Sequence, residues 1–250
     1  MEEGFERARR LPWDGCLNVR DVGGYPTVDG ARTRWGALLR GDNLCQLTPA
    51  GCAALLDYGV RTIVDLHHHP ASETTPHPFG PAGAHAGAVH YHNLLLRDYG
   101  DVALAGELRA TRTHLETYRL SVDRFAPGIA AVVRAVADAP DAGVLVHCNI
   151  GKDRAGLVVA LLLALAGVPD ATIAEDYALS EIYLRPLYRA RARAAGIDES
   201  ILTEDSRSRP ETMLGLLAHL QAAHQGVRAY LLAAGLAPGD LDRVRDRLRA

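Results

Sequence analysis

The chain has 250 residues, 48% of them hydrophobic and 23% charged, with a formal net charge of −3. That length buries a substantial core in one large or two small domains, and the absence of a basic balance argues against a nucleic-acid partner. The first ten residues, MEEGFERARR, are charged where an export signal would be apolar, and the longest apolar run, 156–168, is too short to span a bilayer.

In chain order, residues 1–14 read as an N-terminal extension to a single domain spanning 1–250. ALLRGD (37–42) reads as a strand. TPAGCAALLDYG (48–59) carries helix signals: Thr48 as N-cap, Pro49 in the first turn and Gly59 at the end. RTIVDLH (61–67) and VLVHC (144–148) are β-branched and apolar on both faces, which predicts central parallel strands. Residues 70–88 are rich in Pro, Gly and Ala and predict a long surface loop, followed by a strand in AVHYHNLLL (88–96). Residues 103–138 predict two helices broken near Pro127. The run after residue 154 predicts a buried helix that stops at Gly167, before Pro169. From Asp170 onward the chain reads as helices, with RPLYRARAR (185–193) as a solvated face. Alternating strands and helices imply an α/β domain. Cys16, Cys45 and Cys52 form no CxxC pair and read as small core hydrophobes, so free thiols and a cytoplasmic setting are expected.

HCNIGKDRAG (147–156) lies between a buried strand and a buried helix. It holds Lys152, the only lysine among 27 Lys plus Arg residues. Ligands of α/β sheets bind at the carboxyl ends of strands, and helix N-termini bind anions. Consecutive amides of a tight loop nest phosphate oxygens, and Gly151 permits the turn. Arg154 can grip two oxygens with its planar fork, while Lys152 adds a compact charge. The same field is expected to lower the pKa of Cys148 and make it a nucleophile. A nucleophilic sulfur aimed into a phosphate cradle points to a phosphocysteine intermediate that water then hydrolyses, with no metal or cofactor. A Walker A loop does not fit, because Val146 and Asp153 stand where Gly and Ser or Thr belong. A sulfurtransferase-type cysteine loop stays open.

HCNIGKDRAG resembles the HCxxGKDRTG signature of the bacterial protein-tyrosine-phosphatase-like enzymes, within the cysteine-dependent phosphatase superfamily. NVRDVGGY (18–25), the segment 38–67, GVPDATIAEDYALS and AYLLAAGL resemble further stretches of that family, so the likeness covers roughly 15–248. The resemblance implies a three-layer fold: a central, mainly parallel sheet flanked by helices, with a helical C-terminal region. It implies Cys148 as nucleophile, Arg154 as phosphate ligand, and Lys152 and Asp153 as residues that shape a broad specificity. Asn149, Ile150, Gly151, Lys152, Asp153 and Ala155 would line the phosphate site, with His67 beside it. Three positions depart from the family. Ala155 replaces a hydroxyl residue that assists breakdown of the intermediate. Ile150 replaces a small residue. His67 replaces an arginine at the end of its strand.

The general acid is expected to be Asp98 or Asp153, with Asp101 behind them. Arg20 and Asp21 are expected to brace the loop, and Asp65 to orient loop groups. His147 should face away from Cys148 on its strand. Seven of the eleven histidines fall between 67 and 92, yet His67, His68 and His69 alternate in direction and do not suit one metal. A phosphorylated small molecule or a phosphoprotein is the expected partner, with no nucleic acid. The departures tilt the substrate toward a sugar or nucleoside phosphate. The alternatives are a phosphotyrosine or phosphoinositide phosphatase, and a pseudophosphatase that binds phosphate without turnover.

Overall fold

The computed structural model describes residues 9–69, 75–198 and 206–250. Five strands form one sheet: β1 (Arg20–Asp21), β2 (Leu38–Gly41), β3 (Val60–Asp65), β4 (His90–Asn93) and β5 (Gly143–His147), in the order β1-β2-β5-β3-β4. Only β1 is antiparallel to its neighbour. Neighbouring residues of the central strands feed two cores. Leu38, Val64, Val144 and Val146 belong to one, and Leu39, Ile63 and Leu145 to the other. Side chains alternate between the faces of a strand, so a strand covered on both faces must be apolar throughout.

One face carries α1 (Pro49–Asp57), capped by the Thr48 hydroxyl, which accepts from the Gly51 N–H as its sequence predicted. Trp13, Cys16 and Phe79 share that core. Described residues of the segment read as an extension are therefore part of the body: Trp13 is buried, and the buried Arg9 guanidinium stacks 3.5 Å from the centroid of the Tyr25 ring. Residues 1–8 lie outside the described residues.

The other face packs α2 (Val102–Ala110), α3 (His114–Arg124), α4 (Ala126–Asp138), α5 (Arg154–Leu165), α6 (Asp170–Tyr183), α7 (Arg185–Ala194), α8 (Pro210–His224), α9 (Val227–Ala233) and α10 (Pro238–Leu248). Some of these helices lie outside the first layer. Residues 103–138 form three helices rather than two. The additional break is made by Thr113, whose hydroxyl caps α3 by accepting from the Glu116 N–H, while Pro127 sits in the first turn of α4. α5 is buried from Ala155 to Leu163 and is followed by Gly167 at φ +84°. The strand predicted over 88–96 shrinks to His90–Asn93, a largely exposed edge. The loop predicted on the surface is anchored by the buried His77 and Phe79; residues 70–74 of it lie outside the described residues. Cys16 and Cys52 are buried, whereas Cys45 is only half-buried. α7 buries no residue, as a solvated arginine-rich face requires.

Candidate active site

The parallel strands end in register, with His147 opposite both Gly41 and Asp65, and Asp65 opposite Asn93. The loop 148–153 leaves that edge, and α5 begins at Arg154. Gly151 turns it at φ +69°, and a Cβ there would sit 2.5 Å from the Gly41 carbonyl oxygen, so any larger residue is excluded twice. The carbonyls of the loop are held by the protein body. Asn43 N–H donates to Asn149 O (2.9 Å). Asn18 Nδ2 donates to Ile150 O (2.9 Å). Arg40 Nη2 donates to Gly151 O (2.8 Å) and Lys152 O (3.3 Å). In a trans peptide the N–H points opposite to the C=O, so these bonds turn the intervening amides toward the concave side, beside the buried Cys148.

The bracing residues are fixed by a buried carboxylate on α6. Asp176 accepts from Arg20 Nε (2.9 Å), Arg40 Nη1 (2.6 Å) and Tyr25 OH (3.0 Å). Arg20 Nη1 also donates to Asn18 Oδ1 (2.6 Å). Burial alone would raise the Asp176 carboxyl, but Arg20 and Arg40 outweigh it and hold it well below the usual carboxylate range. Arg20 therefore braces the loop as expected, through Asn18 and Asp176. Asp21 does not: it accepts from Gly23 N–H, Gly36 N–H and Tyr58 OH and fixes the turn behind β1 instead.

Arg154 Nη1 donates to Leu66 O (2.7 Å) and to Tyr99 OH (2.9 Å). Tyr99 ties the segment after β4 to the start of α5, and its ring stacks on His68 (4.1 Å between centroids). Two cavities meet at Asp153. One of about 360 Å³ is lined by Tyr99, Phe125, Asp153 and Arg154, among others. The other, about 410 Å³, is lined by His114, Ile150, Lys152, Tyr188 and Arg191, among others. Ile150 thus forms an apolar wall beside the loop. The Lys152 ammonium is buried, 3.2 Å from Arg207 O and 3.6 Å from Asp153 Oδ1. Asp153 Oδ1 accepts from Tyr118 OH (2.6 Å), whose ring oxygen is also 3.0 Å from Tyr177 OH. Ala155 is buried in α5.

Of the acid candidates, Asp98 is exposed on the Tyr99 segment, with Oδ1 accepting from Gly100 N–H (2.7 Å). Asp101 serves as the N-cap of α2, accepting from Leu104 N–H (2.9 Å), a placement that accounts for it structurally. His67 follows β3, half-buried, with its ring edge-on to His69 at 4.6 Å between centroids.

His147 faces away from the loop, on the side of Leu145 and Ile63, next to Asp65 and His77. Burial opposes ionisation of Asp65. The His147 imidazole, His69, Tyr91 OH and the His67 N–H outweigh it and bring the carboxyl down to about 2. Burial pulls His77 down to about 3 and also lowers His147.

The tyrosine phosphatase family model matches residues 11–250. The chain belongs to that family. It is 30% identical to a tyrosine-protein phosphatase of Nostoc commune, over 85% of this chain and 74% of that one. It is 31% identical to the triple specificity protein phosphatase PtpB of Mycobacterium tuberculosis, over 90% of this chain and 86% of that one. This tyrosine phosphatase family member is thus an α/β phosphatase, and no helix among its described residues is long and apolar enough to cross a membrane.

Asn18, Arg40, Asp176, Tyr99, Tyr118 and Tyr177 all touch the phosphatase loop or its neighbours, yet sequence reasoning assigned them no role. For Asn18, Arg40 and Asp176 the signal was present but weak: each lies in a stretch that resembles the family. Tyr177 lies in the same stretch as Asp176, whereas for Tyr99 and Tyr118 no local pattern distinguishes them from core aromatics.

Proposed function

We propose that the protein hydrolyses phosphomonoesters through a phosphocysteine intermediate. The observation that carries this reading is the loop itself: Asn43, Asn18 and Arg40 hold the carbonyls of residues 149–152 against the protein body, which leaves the intervening N–H groups of the loop that begins at Cys148 to point the other way. Cys148 Sγ attacks phosphorus, the P–S bond forms, and the bond to the leaving oxygen breaks as that oxygen receives a proton. Asp98 supplies that proton; water then attacks phosphorus, gives up a proton to the Asp98 carboxylate, and the P–S bond breaks. Arg154 and the loop amides hold the equatorial oxygens throughout.

Asp98 is the acid in this scheme and Asp153 a positioning group. Asp153 is already engaged by Tyr118 and lies beside Lys152. Asp98 is exposed on a segment tied to Arg154 by Tyr99. Asp98→Asn is expected to lower kcat about 10²–10⁴-fold on an alkyl phosphate, with a much smaller loss on an aryl phosphate whose leaving group needs no proton. Asp153→Asn should lower both to a similar degree. The reverse pattern would exchange their roles.

The substrate best supported is a phosphoester on an aromatic or apolar body, such as phosphotyrosine, or a phosphoinositide. The cavities beside Asp153 are walled partly by Phe125, Ile150 and Tyr188, and the relatives carry the names tyrosine-protein phosphatase and triple specificity phosphatase. A small phosphorylated metabolite is the second reading, favoured by Ile150 narrowing one side of the loop. Steady-state kinetics on phosphopeptides, inositol lipids, sugar phosphates and nucleotides decide between them. A strong preference for one sugar or nucleoside phosphate would overturn the first.

Ala155 bears on the second step. Ala155→Ser is expected to raise steady-state kcat about fivefold, the equivalent of one hydrogen bond of about 1 kcal/mol to the departing sulfur. The initial burst should shrink. An unchanged burst and rate would show that breakdown of the intermediate does not use that position.

A further inference from the structure

We propose that Asp65, His77 and His147 form a binding site for one zinc-type divalent ion, on the face of the sheet opposite the phosphatase loop. The three residues come from the end of β3, the loop before β4 and the end of β5, and all three are buried. His147 Nε2 lies 3.3 Å from His77 Nε2 and 3.4 Å from Asp65 Oδ1. At a tetrahedral zinc ion with bonds of about 2.0–2.1 Å, neighbouring donor atoms stand about 3.3–3.4 Å apart, the spacing of both His147 pairs, and all three donor atoms lie within 4.8 Å of one another. Two imidazoles and one carboxylate with a further position open is also a donor set that suits zinc.

The same distances are long for hydrogen bonds, which centre near about 2.9–3.0 Å. The other contacts of Asp65 are short: its Oδ2 is 2.7 Å from His69 Nε2 and 2.6 Å from Tyr91 OH, and its Oδ1 accepts from His67 N–H at 2.7 Å. These donors orient the carboxylate from outside, as the outer partners of a ligating group do. A single Nε2 carries one proton at most, so His147 cannot donate to Asp65 and His77 together. A cation satisfies all three lone pairs. Its visible cost is local: with Nε2 ligating, His77 carries its proton on Nδ1, which now accepts from Phe79 N–H at 3.2 Å.

The way in is a cavity of about 210 Å³ bordered by His69, His77, Gly80 and Tyr91. The other His and carboxylate cluster among the described residues, Asp123 with His219 and His224, is more open. Both imidazoles there reach the same oxygen at 2.9 and 3.2 Å, as ordinary hydrogen bonds between α3 and the end of α8. An ion at Asp65 would pin the loop carrying His77 to the strand end that precedes Cys148. No step of the proposed reaction passes through it.

The test uses the full chain with Cys148→Ser, so that the nucleophile does not compete for metal. Titration with Co²⁺ should show one saturable equivalent with the d–d absorption of a tetrahedral nitrogen and oxygen site, and Zn²⁺ should bleach it. His77→Gln should lose that band and the accompanying rise in unfolding temperature, while His219→Ala keeps both. The zinc X-ray absorption spectrum of the His77-intact protein, which needs no further variant, should show two imidazoles with oxygen and no sulfur. Binding that survives His77→Gln, vanishes in His219→Ala, shows sulfur neighbours or stays below one equivalent would overturn the proposal.

Discussion

Replacing Cys148 by Ser is expected to lower kcat on an aryl phosphate by at least about 10⁴-fold, because a hydroxyl at the same place is a far poorer nucleophile and the remaining steps depend on the first. Binding should survive. The amides turned inward by Asn43, Asn18 and Arg40, and the Arg154 guanidinium held by Leu66 O and Tyr99, do not depend on the sulfur. The variant should therefore trap substrate, with an inhibition constant for inorganic phosphate near that of the parent. Quenched turnovers of the parent should yield a phosphorylated protein labelled at Cys148. Chelation by EDTA should leave the initial rate unchanged, and an ion at Asp65, His77 and His147 would register in the unfolding temperature. Near-parental turnover by Cys148→Ser would remove the phosphocysteine route and return attention to direct attack by water.

Asp176→Ala carries the largest expected effect on stability. The carboxylate is buried and joins Arg20 and Arg40, themselves buried, so its removal leaves two guanidinium groups without their counter-charge. Breaking a buried pair from one side costs about 3–5 kcal/mol, measurable by urea unfolding at pH 7. Asp176→Asn, which retains some of the hydrogen bonds, should lose less. The difference between parent and Asp176→Ala should depend on pH in one direction. The folded carboxyl titrates below its unfolded value of about 3.9, so its contribution is complete above that value and is lost as pH falls below it toward the folded one. The gap should be constant from neutrality to about pH 5 and should narrow in stronger acid. Activity should fall with stability, since Arg40 would no longer be aligned to hold the Gly151 and Lys152 carbonyls. A gap that widened in acid would mean that the network is not held by an ionised Asp176.

The parts legible in the sequence are those whose cause is local. Thr48 and Pro49 start α1, Gly151 admits the turn, and Gly167 follows α5, because cap chemistry and allowed φ values act over a few residues. The apolar runs of β5 and α5 announce burial on every side, and the charged loop between them announces an anion site at the sheet edge. Local reading went astray where two signals competed. The helical pattern of 103–138 hid the Thr113 cap, and the Pro and Gly content of 70–88 hid His77 and Phe79, which are buried against His147 and in the core beneath α1 respectively.

The sequence by itself determined the loop 148–153 and the strand and helix that flank it. Only the tertiary structure decided what holds that loop in shape, and which histidines meet. Asn18 and Ile150 are separated by 132 positions, Arg40 and Asp176 by 136, and His77 and His147 by 70. Sheet order places β5 between β2 and β3 and so sets His147 beside Asp65, while the packing of α6 and of the loops on the sheet brings Asp176, Asn18 and His77 to their partners. His68 turns away to Tyr99 while His67 and His69 meet edge-on, and an aspartate and two histidines from three separate segments converge. A hydrogen bond or a ligand set is fixed by distance and direction in space, and spacing along the chain carries that information only within a turn or two of regular structure.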